Sequence, residues 1–227
     1  MEKPRAVLFD AYGTLFDVYS VGLLAEQLFP GRGEALAVLW RDKQIEYTRL
    51  VTTSNEGAHY QPFWELTRAG LRYACQRLGL DLTSEREERL MNQYRHLSAF
   101  PENREVLQAL KGKRVATGIL SNGDPEMLGI AVRSAGLEDL LDHVLSVDSV
   151  RKYKTHPEAY RLGLQATGLA ASQILFVSCN GWDALGATWF GYRTLWVNRY
   201  QLPHEALGPR PTRTGATLRD VLSFFES

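Results

Sequence analysis

The stretch Ala6-Val-Leu-Phe-Asp-Ala-Tyr-Gly-Thr14 joins a short apolar run to a polar turn. Continuous apolar character over four residues, without alternation, is typical of a parallel strand that is covered on both faces. A carboxylate directly after such a strand lies at the carboxyl edge of the sheet, where open α/β sheets bind their ligands. The stretch therefore predicts a buried first strand with Asp10 at its functional end.

Four further apolar runs repeat this pattern later in the chain. They are Val115–Leu120, Ile174–Val177, Thr194–Val197 and, more weakly, His143–Val147. Helix signals separate them: Asp124-Pro125 opens one predicted helix that stops near Gly136, and Pro157 opens another that ends before Gly168. Strands that alternate with helices predict an α/β fold with a doubly wound, Rossmann-like parallel sheet.

Residues 18–98 have a different pattern, in which helical periodicity is evident and strands are not. The predicted helices are Val21–Phe29, Glu34–Leu50, Pro62–Leu78 and Ser84–Leu97, the last with Ser84 and Glu87 at the spacing of a capping box. We interpret this region as a helical cap inserted after the first strand. The predicted core domain is residues 1–17 and 99–227, and the predicted cap is residues 18–98.

The remaining segment, near the end of the chain, carries weaker signals. Leu202–Gly215 contains three prolines and predicts a surface loop. A final helix is expected at Leu218–Phe225.

The composition narrows the classes of function. Lys plus Arg is 26 and Asp plus Glu is 26, and this zero net charge argues against a general nucleic-acid binder. Two cysteines, Cys75 and Cys179, are too few for a disulfide scaffold. The apolar runs are far shorter than the roughly 20 residues of a membrane span, and no signal peptide is evident before the first strand. We expect a cytoplasmic protein without a membrane or nucleic-acid partner.

Polar residues follow the apolar runs closely, and a parallel sheet would bring them to one edge. They are Asp10–Thr14, Ser121–Gly123, Lys154 and Ser178–Asp183. A carboxylate at a strand end can act as a covalent nucleophile, and a nearby Lys would keep it ionised. The turn at Ser121–Gly123 enters a helix, which suits an anion.

These motifs, in this order, resemble the signature of the haloacid dehalogenase superfamily, and the resemblance covers essentially the whole chain. The details resemble the L-2-haloacid dehalogenases within it. The resembling stretches are Phe9–Asp17, Trp40-Arg41, Leu120–Asp124, Tyr153-Lys154 with Pro157 and Tyr160, and Val177–Asp183.

Tyr12 separates two readings of this resemblance. Phosphatases of the superfamily carry a second Asp two residues after the nucleophile, which acts as general acid and helps to bind magnesium, whereas this chain has a phenol. Magnesium prefers several oxygen ligands, and Asp10 with Asp183 alone is a poor set. Lys154 can supply the local cation instead. The sequence thus favours chemistry on a carboxylate substrate with no metal and no cofactor.

The resemblance implies a role for each candidate residue. Asp10 would attack the carbon that bears the halogen, giving an ester that water hydrolyses to a 2-hydroxy acid of inverted configuration. The implied catalytic residues are Asp10, Thr14, Arg41, Lys154, Tyr160, Ser178, Asn180 and Asp183. The implied substrate-binding residues are Tyr12, Arg41, Phe63, Ser121, Asn122, Lys154 and Trp182. A small halogenated carboxylic acid as substrate, a halide ion as product and a homodimer are implied as well.

Other readings stay open at this point. Asp183 could be a helix N-cap before Ala184–Phe190, and Arg41 lies in a charged run that is usually a solvated helix face. Asp42 stands where the family has an uncharged polar residue, so it could partly neutralise Arg41. The alternative functions are a metal-dependent phosphatase of the same superfamily and a catalytically silent binding protein on this fold. The preferred halogen and the accepted chain length are not evident from the sequence.

Overall fold

The computed structural model describes residues 2–226 and contains one sheet surrounded by helices. Its strands are Ala6–Phe9 (β1), Ala116–Ser121 (β2), His143–Ser146 (β3), Ile174–Ser178 (β4), Arg193–Val197 (β5) and Arg213–Gly215 (β6). Its α-helices are Gly22–Leu28 (α1), Gly33–Thr53 (α2), Phe63–Leu78 (α3), Ser84–Arg95 (α4), Asn103–Gly112 (α5), Pro125–Ser134 (α6), Pro157–Thr167 (α7) and Gly181–Phe190 (α8). Short 3-10 helices span Val18–Val21, Ser54–Gly57, Glu138–Leu140, Val147–Ser149, Ala171–Gln173 and Leu218–Phe224.

The six strands are parallel and lie in the order β3-β2-β1-β4-β5-β6. The first strand is therefore central, and all four of its side chains are fully buried, as its unbroken apolar run predicts. The order reverses at β1, so β2 and β4 flank it with their carboxyl ends at the same edge. The predicted doubly wound α/β fold is confirmed.

Helices α1 to α4 form the cap, and the chain enters and leaves this region side by side. The backbone amide of Asp17 donates to the carbonyl of Ser98 at 2.8 Å, and Phe16 bridges to Ala99. The division of the chain at 17/18 and 98/99 stays a prediction. Within residues 2–226, the structure has no helix that is both long and apolar enough to cross a membrane.

Two local predictions are wrong, whereas the expected last helix is present as the 3-10 helix Leu218–Phe224. The end of the predicted loop 202–215 forms the edge strand β6. Thr83, rather than Ser84, caps α4, since its hydroxyl accepts from the amide of Arg86 at 3.3 Å. Neighbouring Thr and Ser are both good caps, and tertiary packing decides which one adopts the extended backbone.

Gly163 permits the close packing of α7 on the sheet. A Cβ atom at this position would overlap the Tyr192 hydroxyl and the side chain of Leu8 in β1. Gly129 in α6 differs, because its Cβ would approach only the flexible end of Arg133. Packing thus requires glycine at position 163, whereas the contacts at position 129 do not.

We expect Gly163→Ala to lower the free energy of unfolding by about 2 kcal/mol, because overpacking outweighs the helix propensity of Ala. The matched variant Gly129→Ala should instead raise it by about 0.5 to 1 kcal/mol. Urea denaturation followed by circular dichroism measures both. Equal effects in the two variants would contradict the packing argument.

Candidate active site

The carboxylate of Asp10 is the centre of a buried hydrogen-bond network at the carboxyl edge of the sheet. Its backbone amide continues the pairing of β1 with β4 by donating to the carbonyl of Val177 at 2.9 Å. Its side chain accepts from Lys154 Nζ at 3.1 Å, Thr14 Oγ1 at 3.0 Å and Asn180 Nδ2 at 2.8 Å. The side chain is only 7% exposed, so these donors replace water as its solvation.

Lys154 lies between two carboxylates and is itself fully buried. Its Nζ is 3.1 Å from Asp10 Oδ1 and 2.9 Å from Asp183 Oδ2. Its backbone amide donates to Asn122 Oδ1 at 3.0 Å, so the turn after β2 fixes the loop that carries the lysine. Burial lowers the pKa of Lys154, but the two carboxylates raise it above its ordinary value. The ammonium therefore stays charged and supplies the cation that the sequence predicted.

Asp183 lies inside the first turn of α8, whose N-cap position belongs to Asn180. The alternative reading of Asp183 as an N-cap is thus wrong, since its carboxylate points to Lys154 and Tyr160 instead. The Tyr160 hydroxyl donates to Asp183 Oδ1 at 2.7 Å. Burial raises the pKa of Asp183 to about 6, against the opposing effect of Lys154. A carboxylate with this pKa can accept a proton near neutral pH.

Arg41 reaches this network from helix α2 of the cap. Its Nη2 donates to the carbonyl of Tyr12 at 3.0 Å and to Asn180 Oδ1 at 3.3 Å. Asn180 in turn bonds Asp10, so cap and core side chains meet one hydrogen bond away from the carboxylate. Arg41 is 8% exposed, and the reading of it as a solvated surface residue is wrong. Asp42, next to it, is exposed.

Gln44 and Tyr94 belong to the site although the sequence reading missed them. Gln44 Oε1 accepts from Arg41 Nη1 at 2.7 Å and from the Tyr94 hydroxyl at 3.0 Å. Its Nε2 donates to Thr67 Oγ1 at 2.5 Å, and its side chain is fully buried. A buried amide with these partners orients Arg41. The available signal was its spacing, because residues three apart share a helix face.

Aromatic rings form the apolar wall beside Asp10. The ring of Tyr12 stacks on Tyr94 at 5.9 Å between centroids and is 5.5 Å from the ring of Phe63. Burial raises the pKa of Tyr12 well above its ordinary value, so this phenol stays neutral. Gly123 lies against the same ring, where a Cβ atom would clash. The position of the phosphatase acid is thus filled by an uncharged, packed side chain.

The predicted anion-binding turn after β2 is partly occupied by its own contacts. The amide of Gly123 donates to Ser121 Oγ at 3.0 Å, and Asn122 Oδ1 is taken by the backbone of Lys154. Ser178 has a similar role after β4, where its Oγ accepts from the amide of Asn180 at 3.1 Å. Ser121 is fully buried beside the site, and the hydrogen of its hydroxyl is the group suited to a substrate carboxylate.

Trp182 lines a cavity of about 770 Å³ between α2 and the core, together with Arg41 and Asn180. The guanidinium of Arg49 lies 5.4 Å from the centre of the Trp182 ring.

Among residues 2–226, no cluster of three or more His, Cys, Asp or Glu side chains could hold a metal ion.

Comparison with known proteins agrees with this geometry. The sequence model of the family of haloacid dehalogenase-like hydrolases matches residues 4–191 of this chain. The (S)-2-haloacid dehalogenase of Pseudomonas sp. strain YL is 43% identical over 227 residues, which cover all of this chain and 97% of that enzyme. The chain belongs to the L-2-haloacid dehalogenases. The resemblance inferred from the motifs is confirmed.

Two crystal structures of this family are similar over nearly the full chain. The L-2-haloacid dehalogenase RSc1362 is 58% identical, with complete coverage of both chains and a TM-score of 0.97. The Xanthobacter autotrophicus L-2-haloacid dehalogenase, solved with chloropropionic acid covalently bound, is 34% identical. That comparison covers 98% of each chain with a TM-score of 0.88.

We expect Tyr160→Phe to raise the pKa of Asp183 further, because it removes a donor that favours the charged carboxylate. Tyr192→Phe is the matched control, since that hydroxyl donates to the Tyr160 carbonyl at 2.5 Å instead. Carbon-13 NMR of protein labelled at aspartate carboxyls follows the titration. An unchanged titration midpoint in Tyr160→Phe would contradict the assigned role of this bond.

Proposed function

We propose that the chain hydrolyses small L-2-haloalkanoic acids to D-2-hydroxy acids, with Asp10 as the covalent nucleophile. The observation that carries this proposal is the buried Asp10 carboxylate, held by Lys154, Thr14 and Asn180, with Arg41 one hydrogen bond away. The relative from Xanthobacter autotrophicus, with its covalently bound chloropropionic acid, supports a covalent route. The phosphatase alternative is disfavoured because the position of its second Asp is held by Tyr12, which is buried and whose raised pKa keeps it neutral.

In the first step, an oxygen of Asp10 attacks C2 of the substrate from the side opposite the halogen. Oδ2 accepts two hydrogen bonds and Oδ1 accepts one, from Lys154, so Oδ1 has the more available lone pair. A carboxylate removed from water is a better nucleophile than a solvated one. The carbon–oxygen bond forms as the carbon–halogen bond breaks, and the electron pair leaves with the halide.

Arg41 receives the leaving halide, assisted by Asn180. A guanidinium is permanently charged and weakly hydrated, which suits a large monovalent anion. Gln44 orients Arg41 for this task through its bond to Nη1. The substrate carboxylate is held at Ser121 and Asn122, and Tyr12, Phe63 and Trp182 form the apolar walls around the substrate.

In the second step, water attacks the ester carbonyl of Asp10. Asp183 takes the proton of that water, which its pKa of about 6 allows, and Lys154 stabilises the charge that develops on the ester oxygen. Tyr160 and Ser178 hold the elements that carry Asp183 and Asn180. As the ester bond breaks, the oxygen on C2 takes the remaining proton of the attacking water, Asp10 is left as a carboxylate, and Asp183 returns its proton to solvent. The hydroxy acid keeps the configuration at C2 that the first step inverted.

The same proposal includes the assembly and the compartment. Apolar side chains on the first two cap helices, Leu23, Val38 and Leu50, are exposed and support a homodimer formed through the cap. Both cysteines are free and buried, which suits a reducing cytoplasm. The chemistry uses only side chains of the chain and requires no metal or other cofactor.

With enzyme in excess over (S)-2-chloropropionate in heavy-oxygen water, we expect a single turnover to release unlabelled 2-hydroxypropionate. The label should enter the carboxylate of Asp10, because water attacks the ester carbonyl and not C2. Mass spectrometry of the product and of the peptide containing Asp10 measures both. Enzyme in heavy-oxygen water without substrate is the control. Label found directly in the product, with none in that peptide, would reject the ester and make Asp183 the general base.

We expect Arg41→Ala to lower kcat by about a hundredfold, which corresponds to about 3 kcal/mol of lost stabilisation of the transition state. The loss of kcat should be larger for 2-chloropropionate than for 2-bromopropionate, because chloride is the poorer leaving group. Lys43→Ala, which removes a different, partly buried cation of the same helix that is paired with Glu46, is the control. Near-normal turnover by folded Arg41→Ala would assign the halide to another group.

A further inference from the structure

One carboxylate serves the N-termini of two helices that belong to different parts of the fold. Asp124 Oδ1 accepts from the amide of Met127 at 3.0 Å and caps α6 of the core. Asp124 Oδ2 accepts from the amide of Trp64 at 3.1 Å, in the first turn of α3 of the cap. The sequence reading predicted the first contact, and nothing in it indicated the second.

The first turn of helix α3 is capped by the carboxylate of Asp124 and not by a side chain of its own N-cap residue. The residue at its N-cap position is Pro62, and the side chain of Pro62 accepts no hydrogen bond from the helix. The first amides of a helix need acceptors, and the positive end of the helix dipole favours an anion. Asp124 supplies both from the core, and it is buried with 9% exposure. The start of α3 is therefore tied to the start of α6.

The residues next to this bond line the site. Phe63 directly precedes Trp64, and its buried ring is 5.5 Å from that of Tyr12. Gly123 directly precedes Asp124 and also lies against the Tyr12 ring. The distance between the two helix starts thus fixes the space that the Tyr12 wall leaves beside Asp10.

The same helix start also leads to Arg41. The carbonyl of Phe63 accepts from Thr67 Oγ1 at 2.7 Å, and Thr67 Oγ1 accepts from Gln44 Nε2 at 2.5 Å. Gln44 then holds Arg41 Nη1 at 2.7 Å. A shift of α3 would therefore move the aromatic wall and the support of Arg41 together.

We propose that Asp124 is a positioning residue that sets the size of the 2-substituent the site accepts, by holding the start of cap helix α3 against core helix α6. This inference rests on the proposed function for its kinetic part. Asp124 carries a negative charge next to the turn where the substrate carboxylate is expected. Removal of that charge would act alike on two substrates of equal charge, so a changed ratio of their kcat/KM values reports lost positioning and not changed charge.

The test compares Asp124→Ser and Asp124→Asn with Glu126→Gln. Ser is a good N-cap for α6 but is too short to bond both helices. Asn keeps the shape but presents amide hydrogens to one of the two amides. Glu126→Gln removes an exposed charge from the same helix start and leaves the Trp64 contact intact.

Two measurements are made on each variant. Hydrogen–deuterium exchange of the peptide that contains Trp64 reports the bond itself, whatever the enzyme does. The ratio of kcat/KM for (S)-2-chloropropionate to that for (S)-2-chlorobutyrate reports the size of the pocket. Thermal unfolding of Asp124→Ser and of the wild type shows whether α6 keeps its cap.

We expect both Asp124 variants to exchange faster at Trp64 and to lower the selectivity ratio about fivefold to tenfold, a partial loss of the roughly tenfold to 200-fold by which a pocket discriminates one methylene. Glu126→Gln should match the wild type in both. Faster exchange with an unchanged ratio would overturn the specificity role, and unchanged exchange would overturn the bond between the helices. A wild type that releases no chloride from either acid would refute the proposed function, while the exchange result would still stand.

Discussion

The ammonium of Lys154, buried between Asp10 and Asp183, is the interaction that the rest of the structure depends on. A lone buried charge is very costly, and a carboxylate on each side makes this one tolerable. The three groups come from the end of β1, the loop before α7 and the first turn of α8. They meet only because β1 and β4 are neighbours and because Asn122, after β2, holds the lysine loop. The sheet order is thus a condition for a stable charge arrangement.

The cap completes this arrangement and is held to the core by polar contacts that are buried or partly buried. Arg41 bonds the Tyr12 carbonyl and Asn180, and Asp124 bonds the first turn of α3. Tyr60 adds a third link, with its hydroxyl 2.6 Å from Asp148 of the core. Such contacts are directional, so they define one position of the cap more narrowly than apolar packing alone.

Much of the fold was predictable because its signals are local. The apolar run of β1, the cap and proline at Asp124-Pro125, and Gly168 after α7 each indicate their element within a few residues. The site residues at strand ends were accessible for the same reason, once the sheet was assumed parallel. Strand β6 was missed because three residues on an edge, with exposed side chains, carry no apolar pattern.

The contacts that the sequence did not reveal are those between distant segments. Gln44 ends the charged run Arg41-Asp-Lys-Gln and resembles a surface residue, yet it is enclosed by Arg41, Thr67 and Tyr94. The second oxygen of Asp124 has its partner sixty positions earlier. Neither pairing follows from periodicity or propensity, because both depend on how the cap lies on the core.

The cavity lined by Trp182 gives the two products different surroundings. Asn180, which bonds Asp10, and Arg41, which bonds Asn180, also form part of the wall of this 770 Å³ space. A halide between them would be separated from the open cavity by the guanidinium itself, whereas the hydroxy acid would remain deeper, beside buried Ser121. The two products would therefore leave from different depths of the site, with the halide closer to the open cavity than the hydroxy acid.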